Sequence, residues 1–303
     1  MFNIIGQRFW FFLVSGIVIL SGIIALIVFG LKPGIEFTSG SLLTVGFQQP
    51  VTTEQVEQAV ADSGYDTTII QRTGQGDFLI RLPELKGAAK AALEADLTAS
   101  LGDLEVKGFD AVSPMIATET TRNAMIAVIV SAIGMLLYIS WAFHRVPNPF
   151  RWGICAIASL GHDILVVLGV FAILGAVFGW QVDLMFITGM LTVIGYSVND
   201  TIVIFDRIRE NLLKGGGVDF EVVVNNSLLE TMARSLITGL GTLFVLLALL
   251  LFVGMPIQNL VVVLLAGIIT GTYSSIGTAA SLLVVWKKGE WGRFIGRRVL
   301  LKS

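Results

Sequence analysis

Hydrophobic residues follow this chain in long runs, and six of the runs are long enough to cross a membrane. A membrane-spanning helix needs about 20 mainly apolar residues. The runs cover residues 9–29, 123–143, 152–178, 182–205, 232–253 and 257–286. The pattern therefore predicts six transmembrane helices.

The first run, which follows Arg8, has two interpretations. A secretory signal peptide also begins with a basic residue and an apolar stretch. This run is longer than the 7–15 residues of a signal-peptide core, and no small-residue cleavage site follows it. Residues 1–30 are therefore expected to form an uncleaved first membrane helix.

Residues 31–122 have a different pattern, with short alternating runs between turn residues. Strands are predicted at 41–47, 67–72, 78–82 and 104–109, and helices from 52 or 53 to 63 and at 84–100. The resulting β-α-β-β-α-β order is that of a ferredoxin-like domain, a fold that by itself predicts no activity. The predicted fold class is an α-helical polytopic membrane protein with one external α+β domain between helices 1 and 2. Helices 2–6 occupy 123–286, and a basic tail occupies 287–303.

Residues 218–229, which connect helices 4 and 5, also show an amphipathic pattern. Such a segment lies on a membrane surface in many proteins. An ordinary connector helix explains the pattern equally well.

Basic residues indicate how the helices are oriented. They lie in the loop between helices 2 and 3, in the loop between helices 4 and 5, and in the C-terminal tail: Arg145, Arg151, Arg207, Arg209, Lys214, Lys287, Lys288, Arg293, Arg297, Arg298 and Lys302. The short loops at 179–181 and 254–256 contain none. Because short cytoplasmic loops are enriched in Lys and Arg, both termini are predicted to be cytoplasmic and residues 31–122 extracytoplasmic.

The composition agrees with a membrane protein and excludes some other classes. Of the 303 residues, 54% are hydrophobic and only 14% are charged, whereas soluble domains average about 25% charged. The net charge of −2 does not suggest nucleic-acid binding. A single cysteine, Cys155, excludes an intramolecular disulfide framework and is interpreted as a small apolar residue.

Three charged residues fall inside the apolar runs: Asp163, Asp200 and Arg234. A charge at the bilayer centre costs about 2.5 kcal/mol or more, and such residues usually mark an ion or substrate pathway. At 1.5 Å per residue, Asp163 lies roughly 16 Å and Asp200 roughly 10 Å from the cytoplasmic ends of their helices. The three side chains are therefore expected to meet in the inner half of the bilayer.

Polar residues at helical spacing accompany these charges. The stripes contain Ser159, His162 and Asp163 in helix 3; Thr192, Tyr196, Asn199 and Asp200 in helix 4; Thr231, Arg234, Ser235, Thr238 and Thr242 in helix 5; and Gly267, Gly271, Ser274, Ser275 and Thr278 in helix 6. Because residues three and four apart share a helix face, four facing stripes would form a hydrated interior.

Two functions are open for this interior. Asp200 and Arg234 could bind and release a proton or ion, or they could form a static ion pair that fixes helix packing. His162 is either part of a relay or a hydrogen-bonded packing group. No metal site is expected, because no cluster of His and Cys ligands accompanies it.

The segment 34–40 forms a turn-rich exit from the first helix. Within it, Glu36 and Thr38 are candidate functional residues of an external exit motif, and a solvated loop is the alternative.

The stretch GYSVNDTIVIFDRIREN at 195–211 resembles the signature of the SecD/SecF family, in its SecF branch, from the bacterial Sec protein-export machinery. Residues 34–40, 161–163, 230–235 and 271–275 support the resemblance, although Glu36 and Ser39 stand where the family usually has Asp and Gly. The resemblance covers almost the whole chain. It implies six helices with one external ferredoxin-like domain, related to the resistance-nodulation-division exporters.

The resemblance also implies a function. Such a subunit pairs with SecD in the bacterial inner membrane and acts with the SecYEG channel on unfolded preproteins, with YajC- or YidC-type proteins as further candidate partners. It is not an enzyme and has no cofactor, since the proton gradient drives it. Asp200 matches the family's proton-responsive aspartate, Arg234 its arginine partner, and Asp163 a further membrane acid.

Three rival functions were weighed. A small-molecule exporter subunit usually has larger external domains than the roughly 90 residues available here. An intramembrane aspartyl protease needs two carboxyls that share a proton, which Arg234 would disturb. A passive scaffold would use Asp200 and Arg234 as a static pair.

Overall fold

The computed structural model describes residues 2–65, 69–73, 76–144, 146–214, 217–252 and 257–291. The chain divides into two compact units. The smaller unit is Pro33–Met125, and the larger consists of the chain up to Lys32 and from Ile126 onward. The sequence pattern placed the limits of the external domain at residues 31 and 122.

The smaller unit is built on a four-stranded sheet. In chain order, helix α1 (Arg8–Phe29) and the single-turn α2 (Ile35–Thr38) precede β1 (Gly40–Phe47), α3 (Thr53–Asp62), β2 (Ile69–Arg72), β3 (Phe78–Leu82), α4 (Gly87–Leu101) and β4 (Leu104–Val112). The strand order is β2-β3-β1-β4 and all neighbours are antiparallel. The predicted β-α-β-β-α-β domain is confirmed, while residues 67–68 of the second strand and 74–75 of the following turn lie outside the described residues.

Local sequence explains these elements. Thr52 and Gln55 form a capping box, in which Thr52 Oγ1 accepts from the Gln55 backbone N–H and Gln55 Oε1 accepts from the Thr52 N–H at 2.9 Å. This motif satisfies N–H groups that a helix start leaves without partners. Along β3 the alternate residues Phe78, Ile80 and Leu82 are buried, as expected for a sheet with one face on the core.

One ion pair spans the sheet over a glycine. Lys107 Nζ on β4 lies 2.7 Å from Asp77 Oδ1 beside β3, and a Cβ at Gly46 on the intervening β1 would come within 2.8 Å of that same oxygen. The hydrogen bond that Lys107 donates to Asp77 raises the pKa of Lys107. The pair therefore stabilises the fold below the unfolded pKa of lysine, and this contribution is lost as the pH rises through the folded pKa.

Six helices in the described ranges are long and apolar enough to cross a membrane. After α1, they are α5 (Pro114–Ala142), α6 (Pro149–Phe178), α7 (Leu184–Lys214), α8 (Phe220–Phe252), and a last span made of α9 (Gln258–Ser274), a π-helical turn (Ser275–Ala279) and α10 (Ala280–Lys288). The predicted multi-pass membrane architecture is confirmed. The predicted end of the fifth run at residue 253 and the loop 254–256 lie outside the described residues.

Two helices begin earlier than the hydrophobic pattern predicted. α5 starts at Pro114 and not at residue 123, because its first turns are helical but polar, with Glu119 and Arg122. α8 starts at Phe220 and continues for 33 residues, so 218–229 contains the beginning of the fifth span. The surface-helix and connector interpretations of that segment were wrong, since Val224 and Leu228 are buried in the core of the larger unit.

The helices of the larger unit pack through aromatic rings and glycines. Phe143 and Trp152 stack at 5.4 Å between ring centroids, and Phe205 meets the Trp152 ring edge-on at 5.3 Å. A Cβ at Gly267 of α9 would lie 2.1 Å from Cγ2 of Val193 on α7. The Gly267–Gly271 motif thus serves packing within this chain.

The N-terminus is fixed to the ends of α8 and of the last helix. The buried Arg8 donates to both carboxylate oxygens of Glu290 at 2.8–3.0 Å and to Glu221 at 2.8 Å. Asn225 Oδ1 accepts from the backbone N–H of Ile4 at 2.8 Å and of Ile5 at 3.2 Å. One end of the helix bundle is therefore closed by charged and polar contacts.

Candidate functional site

Asp163 lies on α6 and is fully buried. Its Oδ2 accepts hydrogen bonds from Ser197 Oγ of α7 at 2.6 Å and from Ser274 Oγ of α9 at 2.8 Å. His162 Nδ1 lies 2.9 Å from Asp163 Oδ1, and the His162 ring stacks on Tyr273 at 6.1 Å between centroids. This carboxyl group therefore joins three helices and is well supplied with partners.

Asp200 lies on α7 and is also buried, with 8% of its surface exposed, but it has fewer partners. Its Oδ1 accepts from Ser235 Oγ of α8 at 2.6 Å. Its Oδ2 is buried and has no hydrogen-bond donor among the described residues. Leaving a buried acceptor without a partner costs about 1–3 kcal/mol, and more if the group is charged. Asp200 is thus a buried carboxyl group with one oxygen held by α8 and the other without a partner among the described residues.

Arg234 is placed differently from the expectation. It is exposed on α8, and none of the ion pairs between described residues includes it. Arg234 still acts on Asp200 electrostatically, at a longer range than a salt bridge. The structure therefore does not contain the static Asp200–Arg234 pair that the sequence left open, because Ser235, the next residue of α8, holds the carboxylate instead.

The other predicted residues of α7 and α8 differ in exposure, and Thr231 and Ser235 of α8 are buried. Asn199 and Thr238 are exposed, and Thr238 Oγ1 donates to the Arg234 carbonyl of its own helix at 2.9 Å. Tyr196 is half-buried, and its hydroxyl and that of Thr272 both line the space above Gly239, 3.6 and 3.1 Å from a Cβ built there. Asn199, Arg234 and Thr238 therefore form an exposed polar face of α7 and α8, whereas Tyr196 is only partly exposed.

Ser274 and Ser275 adjoin a break in the last helix. Ser274 contacts Asp163, whereas Ser275 begins the π-helical turn and lies 2.8 Å from the hydroxyl of Thr201 on α7. A π-turn inside a membrane helix is often found at a functional site. Here the two consecutive serines contact different helices, Ser274 reaching Asp163 of α6 and Ser275 reaching Thr201 of α7.

The sequence stripes missed two residues of the buried interior, Ser197 and Thr201. They lie four residues apart on α7, at 1% exposure each, and connect it to α6 and to the π-turn. Their four-residue spacing is the sequence signal that marks this face of α7. It lies next to the predicted stripe through Tyr196 and Asp200.

The exit motif at Glu36 and Thr38 is held by an arginine. Arg81 of β3 donates to the carbonyl of Pro33 at 2.9 Å and to the hydroxyl of Thr38. Glu36 interacts electrostatically with the same guanidinium, while burial lowers the pKa of Arg81. These contacts explain how the motif is anchored, and its functional role stays a prediction.

Within the described ranges, no three His, Cys, Asp or Glu side chains are grouped as a metal site would need. The expectation that the protein binds no metal or cofactor stays a prediction.

Comparison with protein families gives two matches. Residues 92–289 match the family described as protein export membrane protein SecD/SecF, C-terminal, and residues 24–51 match the SecD/SecF GG motif. The second match includes the exit motif, and the first includes Asp163, Asp200 and Arg234.

Individual relatives agree with these matches. The chain is 43% identical to the protein translocase subunit SecF of Thermobaculum terrenum, over 98% of both chains. It is 36% identical to the protein translocase subunit SecDF of Bacillus subtilis, over 94% of this chain and 38% of that one.

A solved structure also resembles the chain closely. The crystal structure of SecDF, a translocon-associated membrane protein from Thermus thermophilus, matches with a TM-score of 0.85 and 30% identity. The match covers 94% of this chain but only 38% of the SecDF chain. This chain thus corresponds to less than half of a SecDF protein.

Proposed function

Because this chain belongs to the SecD/SecF family, as a SecF-type subunit of the Sec protein translocase, we propose that it uses the proton-motive force to promote late stages of preprotein export. In this proposal it works with SecD at the SecYEG channel, and protonation of Asp200 is coupled to movement of the external domain. It carries out no catalysis and needs no cofactor.

The buried Oδ2 of Asp200 is the observation that supports this proposal most directly. An ionised carboxylate in this position buries a charge with no donor on one oxygen, whereas protonation of that oxygen removes the charge. Ser235 donates to the other oxygen, Oδ1, which stays an acceptor in either state. The proton therefore has a defined atom to bind, and the exposed Arg234 is free to approach when the carboxyl is ionised.

The polar face of α7 and α8 supports the partnership with SecD. Asn199 and Arg234 are exposed in this chain, although they lie within membrane-spanning helices. A charged side chain in contact with lipid is costly, so such residues normally face protein or water. The Bacillus subtilis SecDF relative contains this chain's counterpart in one longer protein. We therefore assign SecD as the neighbour that covers this face.

The energy available from protons is adequate for the proposed movement. One charge crossing a potential of 100 mV yields about 2.3 kcal/mol. Shifting a two-state equilibrium from 1:99 to 99:1 takes about 5.5 kcal/mol, which about three protons would supply. The external domain, as a separate compact unit, is the part proposed to move.

Substituting Asp200→Asn tests the proposal. Asn keeps the size of the side chain and an acceptor for Ser235, but it does not titrate. In vesicles that contain the variant with SecD and the channel, we expect the stimulation of preprotein export by a proton gradient to disappear. Copurification with SecD should be unchanged.

Asp206→Asn is the matched control. Asp206 lies on the same helix six residues farther along, where it is exposed and paired with Arg209 at 2.6 Å. This variant should keep gradient-dependent export. Gradient-dependent export by Asp200→Asn at the wild-type level would contradict the proton role, and loss of SecD from that variant would favour the passive-scaffold alternative.

A further inference from the structure

A cavity of about 600 Å³ opens at the same end of the helix bundle as the N-terminus. Its walls come from the loop before α6, from the segment between α7 and α8, and from the end of α10. Its volume lies within the range of about 300–1,000 Å³ that is typical of ligand sites. None of the residues discussed for proton coupling lines it.

The inner wall of this cavity is apolar and rigid. Val146 and Trp152 are at least 95% buried, and Leu283 belongs to the same hydrophobic core. The exposed apolar side chains of Leu213 and Val218 also line it. The apolar surface of the cavity therefore extends from its buried inner wall to the exposed side chains of Leu213 and Val218.

Two basic residues line the same cavity, Arg151 and Lys287. Both are exposed, and in the part of the chain that the structure describes neither forms an ion pair. The Arg151 guanidinium lies over the Trp286 ring, 5.9 Å from its centroid. Stacking on an aromatic ring fixes the guanidinium and leaves its N–H groups available for an anion.

The single acidic residue among the lining side chains is already neutralised. Asp219 Oδ2 lies 3.2 Å from Lys288 Nζ, which also binds Glu221 at 2.5 Å. The uncompensated charge of the cavity is therefore positive. Positive charge beside an apolar wall matches an amphiphile with an anionic head.

We propose that this cavity binds the headgroup of an anionic phospholipid, with the phosphate between Arg151 and Lys287 and the glycerol region against the apolar wall. Basic pockets between membrane helices on the cytoplasmic side bind such headgroups in other proteins. The site is independent of proton coupling and rests only on the proposed orientation, which places this end of the bundle in the leaflet facing the cytoplasm.

Native mass spectrometry of the full-length chain in detergent tests this proposal. The probes are phosphatidylglycerol and phosphatidylethanolamine with identical acyl chains, which differ in net headgroup charge. We expect phosphatidylglycerol to be retained preferentially, and Arg151→Gln or Lys287→Gln to weaken its binding about fivefold each. Both residues are exposed, so the melting temperature should not change.

Lys214→Gln is the matched control, since Lys214 lies at the same end of the bundle, does not line the cavity and is paired with Glu210 at 2.5 Å. It should leave phosphatidylglycerol binding unchanged. Equal retention of the two lipids, or an equal effect of Lys214→Gln, would overturn the proposal. Displacement of the lipid by equimolar glycerol phosphate would assign the site to a free phosphate and would overturn it as well.

Discussion

Ser39 has a backbone conformation that residues with side chains rarely adopt. Its φ is 63° and its ψ is 170°, a region that is populated almost only by glycine and costs other residues about 1–3 kcal/mol. The strain lies in the exit motif, immediately before β1. It gives a physical reason for the glycine that the family resemblance leads us to expect at this position.

Replacing Ser39→Gly should therefore raise the free energy of unfolding by about 1 kcal/mol. Relief of the strain exceeds the extra chain entropy that glycine loses on folding, about 0.5–1 kcal/mol. Thermal unfolding of the purified full-length chain measures the change. Ser63→Gly is the control, because Ser63 has a φ of −77° and should gain nothing; an equal response of both variants would show that strain is not the cause.

At this scale the sequence predicted which residues matter better than it predicted their partners. Asp163, Asp200 and Ser274 were all assigned to a buried polar interior, and they are buried. The expected contact between Asp200 and Arg234 was replaced by one with Ser235. Spacing along a helix shows which residues share a face. Whether Arg234 or Ser235 reaches Asp200 depends on how α8 is rotated about its own axis, and only the packing of the bundle fixes that rotation.

At the scale of secondary-structure elements, the close packing of helix α7 against helix α9 depends on glycine. A Cβ at Gly267 would meet three atoms of the Val193 side chain at 2.1–2.8 Å, so the two helices would have to separate. At Gly271 the nearest atom is Cβ of Ser197, at 3.2 Å. The close approach places Ser197 and Ser274 within reach of Asp163.

Gly267→Ala should accordingly destabilise the protein by about 1–3 kcal/mol, the usual cost of overpacking. Combining it with Val193→Ala should restore part of the loss, because the clashing methyl groups are removed. Unfolding in detergent measures both. Gly195→Ala on α7 has nothing within 4 Å of the new Cβ and should be tolerated; equal destabilisation by Gly195→Ala would argue against the packing explanation.

The sequence predicted which helices exist more reliably than it predicted where each helix begins and ends. Six apolar runs correspond to the six spans, because about 20 apolar residues in a row have few other uses. The hydrophobic runs did not predict the polar first turns of α5 and α8. Hydropathy indicates which part of a helix can contact lipid, and not the residue at which its backbone hydrogen bonding starts. The π-turn escaped it too, because nothing in the apolar run marks a change of helical phase.

For the whole molecule, the orientation in the membrane is the property on which most of the proposed function depends. The single Cys155 is fully buried, so the natural chain should not react with a membrane-impermeant maleimide. Ser100 of α4 and Lys214 of α7 are both exposed, one in each compact unit. A cysteine introduced at either position can therefore be labelled while the buried Cys155 stays unreactive.

Ser100→Cys should be labelled from outside intact cells, and Lys214→Cys only after the membrane has been opened. This follows from the basic residues of the short loops, which are predicted to remain in the cytoplasm. Labelling in the opposite order would reverse the predicted topology and would move the proposed lipid site to the outer leaflet.

The π-helical turn at Ser275–Ala279 makes the length of the last helix as important as its composition. A π-turn holds one residue more than an α-turn, so a residue removed there would let the helix return to ordinary α-geometry with the residues beyond it in place. A residue removed from the regular helix α10 would instead turn everything beyond it by about 100°, so that Trp286 and Lys287 would leave the cavity and Glu290 would turn away from Arg8. A one-residue deletion is therefore expected to be absorbed at the π-turn but to change the architecture when it falls in α10.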